Sequence, residues 1–229
     1  MKPRYHMLSP LVGELRWESP PSDALLAVQL AWMELLTRKY EGQTAEVRQG
    51  FTTLSIAWKL TEYQIVFLKN FSHLEARQLE LSSRVWELPV CYDEHFGKDL
   101  RELATSLRMS VSRLVELHSS TTYRLHFFGF LPGFMYLNGL PEQLHFPRKA
   151  VPDRKIEAGS VGIGGSQTGI YPSQSPGGWH VIGRCPLLLF DVKKSPPVFA
   201  HPGDLIRFRP IDPTEMEEML SDPLFPQLQ

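Results

Sequence analysis

The chain has 229 residues, of which 42% are apolar and 21% charged, and a formal net charge of −1. That is an ordinary globular balance, able to fill a sizeable core as one large or two small domains, and it lacks the basic surface of a nucleic-acid binder. The opening MKPRYHMLSP has no apolar signal core, no run approaches the ~18 apolar residues of a membrane span, and Cys91 and Cys185 make no disulfide framework. The expectation is a soluble, cytoplasmic protein with neither membrane nor nucleic-acid partners.

Arg4–Leu8 and Gly13–Trp17 read as short strands, and Pro20-Pro21-Ser22-Asp23 as a helix start. Leu25, Val28, Trp32, Leu35 and Leu36 recur at helical spacing up to about Tyr40, where Gly42 stops the helix. Residues 44–47 and 52–58 alternate as strands. Thr61-Glu62-Tyr63-Gln64 has the pattern of a capping box opening a second helix through about Leu79. Residues 84–92 return to strand character. The order suggests a small α+β domain over residues 1–83, with helices on one face of an antiparallel sheet in a ferredoxin-like layout. Nothing in that stretch clusters acids, bases or metal ligands. A second, mainly β domain is expected over 84–229, entered through two short helices near 98–107 and 111–119, with Ser110 as an N-cap between them.

Within the second domain, residues 126–179 hold most of the glycines and many of the prolines, the composition of loops held in defined shapes on a β framework. The strand over 123–128 places Tyr123, Leu125 and Phe127 on one face and Arg124, His126 and Phe128 on the other. His126 therefore ends a strand just before the Gly129–Gly133 loop, in either a structural or a functional role. Arg148 and Arg154 could each pair bidentately with carboxylate or phosphate, or stand as surface charges. Val161 and Ile163 alternate with glycines, marking a strand that something approaches closely. Gly164 and Gly169 have Walker A separation, but Ile170 and Tyr171 stand where Lys and Ser/Thr are needed. Gln167 replaces the third glycine of a dinucleotide fingerprint. Gln167, Thr168 and Tyr171 offer groups that orient a small polar ligand. Gly177 and Gly178 form a turn before Trp179, a core anchor or a pocket wall. Cys185 reads as a small buried residue, and the histidines are too scattered for a zinc site. A strand over 187–192, a Pro202-Gly203-Asp204 turn, a strand over 205–209 and a short helix over 215–220 complete the chain, favouring a barrel or sandwich.

GFLPGFMYL, PRKAVP, AGSVGIGGSQTGIYP, SPGGW, IGR and PGDLIRFRPI, in that order, together resemble the family of the 5-oxoprolinase B subunit. This family includes the sporulation kinase A inhibitor and is often labelled allophanate hydrolase subunit 1. The resemblance covers the second domain strongly and the first eighty residues only in layout. It implies a cyclophilin-like barrel, and one component of a heteromeric enzyme that works with a directly bound C subunit and with the A subunit. The implied reaction uses ATP, with Mg2+, to activate 5-oxoproline by phosphorylation for ring opening to glutamate. The alternative it carries is a regulatory protein that inhibits a sensor histidine kinase. On this reading His126, Arg148 and Arg154 are catalytic, and Gln167, Thr168, Tyr171, Gly177, Gly178 and Trp179 bind substrate or nucleotide. One departure stands out: Asp153 precedes Arg154 where the family often has proline.

Overall fold

The computed structural model describes residues 1–77 and 79–227, and the chain divides into two units, Met1–Leu81 and Ser82–Gln229. In the first unit, β1 (Arg4–Ser9) and β2 (Val12–Arg16) form a hairpin, followed by α1 (Asp23–Lys39). A second hairpin, β3 (Thr44–Gln49) and β4 (Thr53–Trp58), precedes α2 (Thr61–Asn70). Ser22 caps α1 as its sequence suggests, accepting the Leu25 N–H at 3.2 Å. Leu15, Leu54 and Ile56 from the sheet meet Leu25, Trp32 and Leu36 of α1 and Phe67 of α2 in one core, so both helices cover the same sheet face.

Two expectations for this unit fail. The antiparallel strand order is β1-β2-β4-β3, two hairpins joined side by side, whereas a ferredoxin-like layout interleaves helices as βαββαβ. The capping box also does not form. Thr61 is the first helical residue, Leu60 is the N-cap, and no side chain caps the end. Gln64 goes elsewhere: fully buried, it donates to the Ser9 and Pro10 carbonyls at 2.8 Å and accepts from the Tyr5 hydroxyl at 2.6 Å. A buried amide that satisfies the hairpin turn outweighs a cap in solvent. The helix also stops at Asn70, passing through a 3-10 turn at Phe71–His73, well short of Leu79; Gln78 lies outside the described residues.

The second unit is a closed barrel built from β5 (Val85–Cys91), β6 (Thr122–Phe128), β7 (Met135–Asn138), β9 (Ser160–Gly164), β10 (Gln167–Ile170), β12 (His180–Arg184) and β13 (Leu205–Ile211), in the order β10-β7-β6-β13-β5-β12-β9. Strands β9 and β10 close the ring antiparallel, and β5 and β13 are its parallel pair. Leu88, Val90, Leu125, Met135, Leu137, Ile163, Ile206 and Phe208 fill the interior. Helices α3 (Leu100–Ser106), α4 (Val111–Ser119) and α5 (Pro213–Ser221) flank it, α4 capped by Ser110 at 3.1 Å. A separate ribbon pairs β8 (Asp153–Ile156) with β11 (Ser175–Gly177). The strand expected over 187–192 is reduced to an isolated bridge between Phe190 and Val198. No helix among the described residues is long and apolar enough to cross a membrane.

Candidate functional site

The wall made by β7, β10 and β9 has two faces, and side-chain alternation sorts the sequence motifs between them. Thr168 pairs with Leu137 and Ile163, both core residues, and so faces inward. Gly169 pairs with Gly162 and Tyr136 and faces outward. What approaches those glycines is Trp179: a Cβ on Gly164 would sit 2.6 Å from its indole, and one on Gly169 would sit 2.5 Å from the Met135 carbonyl and 3.1 Å from the indole. The glycines make room for a ring laid flat across the sheet, which then becomes a wall.

Around that ring lies a pocket of about 360 Å³, lined by Phe130, Phe134, Tyr136, Arg148, Lys149, Pro152, Tyr171, Pro176, Gly177, Gly178 and Trp179. Phe134 meets Tyr171 and Trp179 edge-on, with ring centroids 5.1 and 5.4 Å apart. Phe130 stands at the mouth, 60% exposed, on a backbone φ of +63°, a left-handed conformation a bulky residue adopts only when its surroundings impose it. The Arg148 guanidinium stacks 5.6 Å from the Trp179 ring centre. Burial pushes the Tyr171 phenol up to about 12, with the Trp179 backbone N–H and Arg148 pulling the other way, so it stays a neutral donor at neutral pH.

Lys149 is held differently. Its ammonium donates to Asp99 Oδ1 and to Asp153 Oδ2, both at 2.7 Å, and Lys98 reaches the same Asp153 oxygen at 3.0 Å. Asp99 in turn accepts the Val181 N–H at 2.7 Å. Partial burial disfavours the ammonium, but the hydrogen bonds and charges of Asp153 and Asp99 more than reverse that, holding its pKa above the usual lysine value. Asp153, directly before Arg154, is therefore a carboxylate that fixes a pocket lysine.

Of the residues singled out from sequence, the pocket gathers Arg148, Tyr171, Gly177, Gly178 and Trp179. Arg154 is exposed on β8, outside the lining. Gln167 opens β10 beyond it, with a buried Oε1 that meets no hydrogen-bond partner among the described residues. Thr168 is fully buried on the opposite face, where its hydroxyl donates to the Gly162 carbonyl at 3.0 Å and accepts from His118 Nε2 at 2.9 Å. That fixes the tautomer of His118, whose Nδ1 accepts from the Tyr92 hydroxyl at 2.8 Å. Burial lowers the His118 pKa to about 3, and the neutral ring stacks 4.8 Å from Phe208. His126 is fully buried at a bulge in the β6–β7 pairing. The extra residue reverses the expected faces: Leu125 and Phe128 pair with the core residues Leu137 and Met135, while Phe127 turns outward to stack on Tyr136 at 4.6 Å.

Sequence reasoning passed over Phe130, Phe134, Tyr136, Lys149, Pro152 and Pro176. The signal was present in part: the three aromatics belong to the GFLPGFMYL run, and Lys149 follows Arg148 directly. The strand β7 that turns Tyr136 outward was the missing piece.

The sequence family described as carboxyltransferase domain, subdomain C and D, matches residues 4–200. The B subunit of the Escherichia coli O157:H7 5-oxoprolinase is 51% identical over 136 residues, covering 59% of this chain and 62% of that protein, less than two thirds of its length. The B subunit of the Haemophilus influenzae 5-oxoprolinase is 37% identical over 194 residues, covering 82% of this chain and 90% of that protein. The K. lactis urea amidolyase structure superposes over 98% of this chain and 16% of its own with a TM-score of 0.79 at 15% identity, a likeness of fold.

Proposed function

The chain belongs to the carboxyltransferase-domain C and D family and to its 5-oxoprolinase B-subunit members, and from that premise we propose that it is the B subunit of an ATP-dependent 5-oxoprolinase. Its barrel is then the cyclophilin-like fold of that family. The C subunit binds it directly, the A subunit completes ring opening, and the chain alone turns over little or nothing. None of the relatives above is named as a histidine kinase inhibitor.

The observation that carries the reading is the pairing of Arg148 with Trp179 at the mouth of an aromatic pocket. 5-Oxoproline is a small flat lactam bearing one carboxylate, and about 360 Å³ accommodates it. Arg148 holds the carboxylate bidentately. The neutral Tyr171 phenol donates to the lactam oxygen, where negative charge would concentrate on activation. The Trp179 ring and Phe130 exclude water from the bound ring. His126, Arg154, Gln167 and Thr168 take no contact role in this scheme.

ATP fits the pocket poorly. Of its two lining cations, Lys149 is committed to two carboxylates, which leaves Arg148 alone for a polyanion. No phosphoryl-transfer step is assigned to it. Mg2+ is assigned to the nucleotide's phosphates, since among the described residues no group of His, Cys, Asp or Glu is placed to hold a metal.

The test is to purify the tagged chain with its bound partners and to measure ATP hydrolysis with and without 5-oxoproline. A co-purifying C subunit and lactam-dependent hydrolysis are expected. A partner-free chain, or hydrolysis indifferent to 5-oxoproline in the reconstituted complex, defeats the proposal.

A further inference from the structure

A second cavity, of about 430 Å³, shares no lining residue with the aromatic pocket. Lys98, Lys155, Arg184 and Ser160 line it together with one carboxylate, Glu157. Lys98, which lines this cavity, shares the Asp153 oxygen that also holds Lys149 of the aromatic pocket. Ser160, only 3% exposed, is one of the residues that line the second cavity.

The charges do not cancel. With their ion-paired neighbours included, Lys98, Lys149, Lys155 and Arg184 face Asp99, Asp153 and Glu157, four cations against three carboxylates. Arg184 shares the single carboxylate Glu157 with Lys155, so the lining keeps an excess of positive charge. The Arg184 Nε–H is anchored on the Ala158 carbonyl at 2.8 Å, which leaves the terminal nitrogens of the fork for a ligand. Lys155 is tied to Glu157 at 2.6 Å, but both are largely exposed, and such pairs hold weakly enough to yield to an anion.

We propose that this cavity binds a phosphate-class oxyanion, supplied either as inorganic phosphate or as the terminal phosphate of a nucleotide. Guanidinium, ammonium and hydroxyl donors approaching from different walls suit a tetrahedral group carrying up to two charges better than a planar carboxylate. The proposal does not require the 5-oxoprolinase reading, since it rests on a separate cavity.

Titrating the full chain with inorganic phosphate, followed by calorimetry in chloride buffer, tests it. Saturable binding is expected, weakened about tenfold by Arg184→Gln and about threefold each by Lys155→Gln and Ser160→Ala. Arg148→Gln, in the other pocket, leaves the affinity unchanged. Should Arg184→Gln unfold through loss of its Ala158 contact, Lys155→Gln carries the test, because that side chain is mostly in solvent. A repeat with ATP separates the sources: displacement of phosphate by ATP identifies a nucleotide end, and its failure identifies free phosphate. Absence of saturable binding by either probe overturns the proposal, as does binding that Arg148→Gln abolishes and the Arg184 and Lys155 variants leave intact.

Discussion

The inward and outward faces of the strand pair β9–β10 carry polar groups of opposite kinds. Inside, Tyr92, His118, Thr168 and Gly162 form a chain in which donors meet acceptors in sequence, sealed from water. Outside, Arg148 and Tyr171 border a pocket open at Phe130, with hydrogen-bonding capacity left for a ligand. One run, Gln167-Thr168-Gly169-Ile170-Tyr171, feeds both faces. Polar residues adjacent in sequence thus serve stability in one case and recognition in the other, and strand alternation decides which.

Breaking the inner chain has the largest expected effect. His118→Ala removes a buried ring and strands the Tyr92 hydroxyl, at a cost of about 3–5 kcal/mol in denaturant unfolding. Activity in the reconstituted complex is lost only to the extent that the fold is lost. The same histidine predicts a pH signature. Its pKa is about 3 when folded and 6.5 unfolded, so the unfolded chain binds the extra proton between those values. Its contribution to stability is complete above pH 6.5 and declines as pH falls toward 3, by up to about 1.4 kcal/mol per pH unit. His118→Gln should flatten that acid limb. An unchanged acid limb in that variant would show that the inner chain is not the buried, neutral network described.

The outer face should behave in the reverse way. Arg148→Ala removes an exposed guanidinium and should leave the melting temperature within about 2 °C, since surface substitutions move stability by about 0.5 kcal/mol or less. It should lower lactam-dependent ATP hydrolysis by about 10- to 100-fold, mainly through KM for 5-oxoproline. Tyr171→Phe keeps the aromatic wall and removes one donor, for a loss of about tenfold in kcat/KM. Equal loss of stability and activity in both variants would erase the distinction between the faces.

Much of the fold was legible because its signals are local. Ser22 and Ser110 cap their helices where the sequence places caps, and β5, β6 and β13 follow runs of apolar residues. Three failures have tertiary causes. Gln64 abandoned a cap for a hairpin fifty-four residues away, the bulge at His126 reversed the side on which Phe127 lies, and the 187–192 run lacks a partner strand and keeps one bridge. The site divided along the same line. Trp179 and the glycines beneath it were visible as a strand approached closely, whereas the separation of Thr168 from Tyr171 needed the register of β10 against β7 and β9.

The smallest expected effect belongs to Arg154. It stands six residues after Arg148, and in sequence the two look equivalent. Strand β8 separates them: Asp153 turns toward Lys149 and Lys98, and the next residue of a strand points to the opposite face. Arg154 is exposed and outside the pocket lining. Arg154→Ala should therefore change kcat/KM less than about twofold and leave stability within about 0.5 kcal/mol. A loss as large as that of Arg148→Ala would extend the functional surface along β8 to a face that only a bound partner completes. Measuring both variants in the isolated chain and in the assembled complex distinguishes the two: a pocket residue weakens 5-oxoproline binding, whereas a residue that touches a partner weakens assembly.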